Sequence, residues 1–442
     1  MATTNDTITG GQKPDKMHFA IVGGSLGGLA TGIALKALGH DTTILERNRT
    51  PLLHDQGAGI VAGGHALEFL KKYNRCQRQA LSVPSSCRQY LNRAGKVIHT
   101  VTADHDMSSW DLTYFLMRAN YDGTSSPYCD VPPPDPSHGA AVHHHDRSVT
   151  SVISRGSGVL VSWKSTTDPS ITGSLTADIL IGADGPSSTI RSLFAPGGSA
   201  ERTYAGYCAL RGTVPELSAT PSTLATFAEK FTFFHAPGIQ ILAYLIPGKN
   251  GSVQPGERLI NFVYYTNFPE GSPELDQILT DRNGRRHRIT LPPGLTDPAA
   301  WKRQQEIARE KLPPQFAEIV CKAQRPFVQA VTDVISPSNE FLDGRVILIG
   351  DALAGFRPHT VASTAQAAYD AMLYADFVAG KISREEWKRH TMGYARFTQR
   401  RGVVMGDRSQ HENLPLEEYI RDRDEASVPI SYDMFPEWAT AI

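Results

Sequence analysis

The chain has 442 residues, with 44 Lys and Arg set against 45 Asp and Glu, for a formal net charge of −1. That balance offers no field to nucleic acid or to an anionic membrane, and no apolar run reaches the ~18 residues that a membrane span needs. Five scattered cysteines (Cys76, Cys87, Cys129, Cys208 and Cys321), odd in number and without metal spacing, suit a reducing compartment, so a cytoplasmic location is expected.

The segment Met1–Lys16 is polar, lacks the apolar stretch of a signal peptide and reads as a disordered arm. Residues 18–22 are a short apolar run of strand type. Gly23 allows a sharp turn, Ser25 stands where a middle glycine is usual, Leu26 follows, and Gly28 allows a helix to pack close to the strand. The helix, residues 27–39, carries Leu29, Ile33, Leu35 and Leu38 and stops at Gly39. The free amides at such a helix start attract a diphosphate. A second strand, 42–46, ends in Glu46 beside Arg47, and the Glu46 carboxylate can accept both hydroxyls of an adenosine ribose. Strand, turn, helix and acid together point to a dinucleotide rather than to a glycine-tolerant turn that binds nothing.

Residues 122–138 form a proline-rich loop. His143, His144 and His145 follow; neighbours on an extended segment point apart, so no metal is expected. Residues 149–153 and 158–164 read as a hairpin and 178–183 as a buried strand. From 203 to 265 strand patterns dominate (Tyr207–Val214, Phe231–His235, Ile239–Ile246, Arg258–Thr266), which predicts an antiparallel sheet separate from the nucleotide-binding layer. Residues 271–325 read as largely helical, strand 345–349 returns to the first layer, 362–379 and 385–410 read as helices, and 411–442 as irregular and polar.

Three segments in order, Gly23 to Gly28, Asp178-x-x-Ile-Gly-Ala-Asp-Gly through Arg191, and Gly350-Asp351-Ala352, resemble the single-component class A flavoprotein monooxygenases over roughly residues 17–405. Thr203–Tyr207, Ala243–Gly248, Leu279–Asp281 and Arg357-Pro358-His359 are further similar to the 2,6-dihydroxypyridine 3-hydroxylase subgroup, as is Ser25; the Pro-His pair is shared with 6-hydroxynicotinate 3-monooxygenases. The resemblance implies an α/β fold of the para-hydroxybenzoate hydroxylase type, a Rossmann-like FAD-binding domain interleaved with an antiparallel-sheet substrate domain. The expected division is an arm at 1–16, an FAD-binding domain at 17–200 and 335–405, a substrate-binding domain at 201–334 and a tail at 406–442.

It also implies roles. FAD would be the cofactor, with NADH or NADPH and O2 as co-substrates, in a monomer or homodimer. Gly23, Ser25, Leu26, Gly28, Glu46, Arg47, Asp184, Gly185, Gly350, Asp351 and Thr364 would contact FAD, with Asp184 and Gly185 also near the nicotinamide channel, Arg191 supporting their loop, and Asp351 accepting from a ribityl hydroxyl. The family's glycine-rich loop is replaced by Val361-Ala362-Ser363-Thr364, Ala354 stands near the place of a frequent histidine, and Trp110 replaces an arginine before Asp111-Leu112.

The implied reaction is transfer of oxygen from a flavin C4a-hydroperoxide to an electron-rich hydroxypyridine or phenolic ring, activated as its oxyanion. His359 is the candidate base. Gln240 and Tyr244 share one face of a strand, and Tyr207 shares a face with Ala209, so these are pocket candidates if that face is the inner one. Arg211 is expected to close a salt bridge rather than meet a substrate carboxylate. A flavin-dependent halogenase is disfavoured because Trp163-Lys164 does not match its Trp-x-Trp motif. The alternatives are decarboxylative hydroxylation of a hydroxybenzoate to a hydroquinone and a non-catalytic or redox-sensing flavoprotein.

Overall fold

The computed structural model describes residues 16–50, 59–78, 80–195, 201–426, 435 and 439. Residues 1–15 of the expected arm and most of the final stretch of the tail fall outside these residues.

Strand His18–Val22 sits inside a six-stranded sheet, parallel to Asp41–Leu45 on one side and Ile179–Gly182 on the other. Val346–Leu348 and Ala141–His144 extend the sheet in parallel, and Glu340–Phe341 closes one edge antiparallel. Parallel strands are covered on both faces, which is why the three central ones, His18–Val22, Ile179–Gly182 and Val346–Leu348, read as almost continuously apolar. Phe19 and Ile21 face helices Leu26–Ala37, Trp110–Asp122 and Ser363–Val378, whereas Ala20 and Val22 face the other way. There they meet a three-stranded antiparallel sheet of Ser148–Arg155, Gly158–Lys164 and Thr172–Ala177. The hairpin read at 149–164 is its first two strands. The 26–37 helix ends as its sequence predicts: Gly39 takes φ +92° and its N–H bonds Lys36 O at 2.9 Å.

The second sheet has ten strands. Thr203–Pro215, Lys230–Ala236, Ile239–Ile246 and Leu259–Asn267 stand where strand patterns were read, and Phe327–Ile335 joins Thr203–Pro215 antiparallel. Two features differ from the reading. Strands Gly59–Val61, Val83–Leu91 and Val97–Ser109 belong to this sheet although they lie early in the chain, and Val83–Leu91 pairs in parallel with Lys230–Ala236. The long strand from Val97 is mostly solvated, with Val97 and Ile98 about half exposed, so it lacks the apolar alternation that marks a strand. Its neighbour's partner is more than a hundred residues away and leaves no local signal.

Register settles which face is inner. Arg211 opposes Val263, Val263 opposes Leu242, Tyr265 opposes Gln240, and Asn261 opposes Tyr244. These residues turn toward the nucleotide-binding layer. Leu210, Ile241, Phe262 and Val328 turn away and pack on helices Pro298–Lys311 and Pro314–Lys322. The C-terminal stretch read as irregular contains helix Leu416–Ala426, which follows the 27-residue helix Arg384–Gln410.

Candidate active site

A cavity of about 320 Å³ lies between the two sheets. Ser25, Leu26 and Gly27 close one end with Gly185 and Pro186; Asp351 and residues 362–364 form the roof; Arg211, Leu242, Tyr244, Val263 and Tyr265 form the floor.

The glycine turn is shaped by close approach. A Cβ on Gly23 would lie 2.3 Å from Ala183 O, and one on Gly28 would lie 1.9 Å from Gly23 O. Glu46 is buried and braces this turn: Oε2 accepts from Gly24 N at 2.7 Å and Oε1 from Asn48 N at 2.8 Å. Arg47 is exposed, and its carbonyl accepts from Thr166 Oγ1 at 3.0 Å. His143, near the end of strand Ala141–His144, and His145, just past it, lie side by side with ring centroids 4.4 Å apart. Burial pushes His143 down to about 3, so it is neutral and packs against Gly24.

Asp184 does not line the cavity. Its carboxylate accepts from Thr189 N at 2.7 Å and Ile190 N at 3.2 Å, organising the loop that starts helix Thr189–Phe194. Arg191, 1% exposed, donates to Pro186 O at 2.6 Å and Ala352 O at 2.7 Å, tying that loop to the Gly350–Ala352 turn. Gly350 takes φ +61°, and its N–H donates to Asp370 Oδ2 at 2.9 Å.

The site carries marks of a missing partner. Asp351 Oδ1 is buried with no hydrogen-bond partner, an arrangement that is costly unless a donor arrives. Burial pushes Asp351 up to about 6, against the pull of Ser363, Arg202 and Arg191. No side chain caps the Ser363–Val378 helix and its first turn holds no acid, so its amides and positive dipole end open at Ser363 and Thr364 in the cavity roof. A glycine cradle, an orphaned acceptor and an uncapped helix start suit the diphosphate, ribityl chain and electron-rich ring edge of a flavin dinucleotide.

The four candidate catalytic residues divide. Tyr244 lines the floor. Tyr207, Gln240 and His359 are 0–3% exposed and form a hydrogen-bonded row beside the Tyr265 ring, which stacks on His359 at 4.3 Å. Gln240 Nε2 donates to Tyr419 Oη, so its Oε1 accepts from His359 Nδ1 at 3.0 Å. His359 Nε2 then accepts from Tyr207 Oη at 3.0 Å. With both nitrogens engaged, His359 anchors the cavity-lining Pro358 instead of opening into the cavity. Gly406 makes room for this arrangement: a Cβ there would lie 2.4 Å from Tyr207 Oη and 2.8 Å from Arg357 Nη1, so glycine lets the 384–410 helix come this close to Tyr207 and the start of the 357–361 turn.

The salt bridge expected for Arg211 is absent among the described residues. Its guanidinium lies 5.6 Å from the Phe327 ring, and its Nε is buried without a partner. Trp110 lines the cavity and stacks on Tyr114 at 4.8 Å. Sequence reasoning missed Tyr265, Arg202 and Tyr419. Tyr265 shares period 2 with Val263 and was findable; Tyr419 sits on a polar helix with no signal.

Two interlocked sheets with the cavity between them, the first carrying the dinucleotide cradle, make this the fold of the para-hydroxybenzoate hydroxylase-type flavin monooxygenases. Residues 204–333 match the family described as FAD binding domain-like. The chain is 28% identical over 389 residues to 2,6-dihydroxypyridine 3-monooxygenase of Paenarthrobacter nicotinovorans, covering 86% of this chain and 89% of that protein. It superimposes with a TM-score of 0.77 on 2,6-dihydroxypyridine-3-hydroxylase from Arthrobacter nicotinovorans, at 27% identity, covering 91% of this chain and 95% of that one. Klebsiella pneumoniae HpxO complexed with FAD and uric acid shares the fold at a TM-score of 0.69 and 17% identity, covering 92% and 93%. The chain is an FAD-dependent monooxygenase of the aromatic-hydroxylase class.

Proposed function

We propose that this enzyme hydroxylates a small anionic ring, a hydroxypyridine or phenol, with NADH or NADPH and O2 as co-substrates. One observation carries the reading: Arg211 brings an unpaired cation to a floor otherwise lined by Leu242, Tyr244, Val263 and Tyr265. An unpaired charge facing a cavity is an expensive feature unless an anion shares it.

The Gly23–Gly28 cradle, Asp351 and the 363–378 helix start would hold FAD, which when bound and reduced by the nicotinamide would activate O2 for transfer to the ring. The remaining work belongs to side chains. Arg211 holds the ring as its oxyanion, which raises electron density at the carbon to be attacked. Tyr244, pushed up to about 12 by burial, stays protonated and serves as a donor. Leu242, Val263 and Trp110 exclude water from the ring's faces. Residues 201–334 act here as the substrate half of a monomer or homodimer. Arg211 suits a ring carboxylate equally well, which keeps decarboxylative hydroxylation of a hydroxybenzoate as the second reading.

The test is a panel of hydroxypyridines and hydroxybenzoates with NADH and with NADPH, each product weighed by mass spectrometry. Gain of one oxygen supports the first reading, and loss of CO2 with gain of oxygen the second. Reduced nicotinamide consumed with no ring product, for every compound, overturns both and leaves a non-hydroxylating flavoprotein.

A further inference from the structure

Val361 occupies the left-handed region, at φ +49° and ψ +25°. Six other non-glycine described residues have positive φ: four are Asp or Asn, and the other two are Glu229 and Leu342; Val361 alone is β-branched. A branched Cβ crowds the backbone there, so such a residue persists only where its surroundings impose it. The surroundings are explicit. Arg357, at the start of the turn, meets Asp333 with Nη2 at 2.6 Å and Nε at 2.9 Å, and Asp407 with Nη1 at 2.7 Å. His359 is fixed by Tyr207 and Gln240, both at 3.0 Å. Gly406 lets the long helix press on the Arg357 side chain, and Val361 N–H closes the turn on Pro358 O at 3.0 Å.

The strained residue is not hidden. Val361 is 45% exposed and lines the cavity between Pro358 and the 363–378 helix start. A glycine would hold this backbone without strain and leave the space empty. The chain instead places an isopropyl group there, so the side chain has a use.

We infer that Val361 is a specificity-determining residue whose isopropyl group closes the cavity beside the helix start and limits the substrate to a single six-membered ring. This rests on the proposed ring hydroxylation. Pro358, Tyr265 and Val361 line the same cavity, and the isopropyl group takes up space there that a fused second ring would need.

Three variants separate volume from backbone, each compared with wild-type holoenzyme on a one-ring phenol or hydroxypyridine and on its fused two-ring analogue. Val361→Gly should relieve strain and open the wall: the apoprotein melts at higher temperature, and the kcat/KM preference for one ring over two falls at least tenfold. Val361→Asn keeps bulk and tolerates left-handed backbone, so the melting temperature rises while ring discrimination is retained. Val361→Ala opens the wall but keeps a Cβ in the left-handed region, so discrimination falls while the melting temperature rises less than for the glycine variant. The inference fails if the glycine and alanine variants hydroxylate with wild-type discrimination, or if neither glycine nor asparagine raises the melting temperature. If wild-type enzyme hydroxylates no ring at all, the underlying reading fails instead, and the melting temperatures still report on the strain.

Discussion

His359 Nδ1 and Gln240 Oε1 are 3.0 Å apart, and this contact fixes the imidazole in its Nδ1–H form behind the cavity wall. The orientation comes from Tyr419, which takes up the Gln240 amide nitrogen. His359→Ala would leave Tyr207 Oη and Gln240 Oε1 buried without their partner, at about 1–3 kcal/mol each for an unsatisfied buried group. The expected result is a lower melting temperature and poorer coupling, with more hydrogen peroxide per reduced nicotinamide consumed. Tyr419→Phe should show a weaker form of the same effect. A His359→Ala enzyme that melts like wild type but loses hydroxylation would instead restore the imidazole as a base acting on the substrate.

Arg211 gives a second prediction. Arg211→Gln removes the floor's cation and should raise KM for an anionic ring by ten- to a hundredfold, in line with roughly 1.4–2.7 kcal/mol of charge-assisted hydrogen bonding. A neutral isostere of the same ring should lose much less. Equal losses for both would assign Arg211 to the cofactor or to packing.

Burial pushes Asp351 up to about 6 and Asp370 up to about 7. An unfolded carboxyl titrates near ~3.9. The folded apoprotein therefore binds protons more readily, so this stability is full below about pH 4 and is lost as pH rises through 6 to 7. Hydroxyl donors from FAD favour the ionised Asp351 and act in the opposite sense. Apoprotein should melt at lower temperature at pH 8 than at pH 5, and FAD binding should tighten and release protons over the same range. Calorimetry in buffers of different ionisation enthalpy measures this. Asp351→Asn should flatten only its own share of the dependence and leave that of Asp370, and an apoprotein that is equally stable across the range in both wild type and variant would contradict it.

The cradle makes the last prediction. Gly28→Ala sets a Cβ 1.9 Å from Gly23 O, a backbone atom that cannot yield without moving the turn. The variant should fold poorly or emerge without flavin, as absorbance of the purified protein would show. Bright yellow, fully loaded protein would count against the assigned cradle.

Local chemistry was legible. The run Phe19–Gly28 with Glu46 reads as strand, turn, helix and acid because each step depends on residues a few positions apart. The orientation of Tyr244, Gln240 and Tyr207 was legible only as a shared face. Pairing across Asn261, Val263 and Tyr265 was needed to turn that face inward. The early strands of the ten-stranded sheet stayed hidden because their partners are remote and one of them is largely solvated.

By itself, the sequence determined the strand–turn–helix run from Phe19 to Gly28 and the presence of two sheets, which rest on short-range sterics and periodicity that a linear string preserves; the part assigned to Asp351 and the class of reaction came from its resemblance to a known family. Tertiary structure alone decided which groups reach the cavity. It placed His359 behind the wall, left Arg211 unpaired within it, and held Val361 in a left-handed turn, because Gly406, Tyr207 and Gln240 converge there from three separate stretches of chain. Such convergence depends on packing between residues more than a hundred positions apart, and no local pattern encodes it.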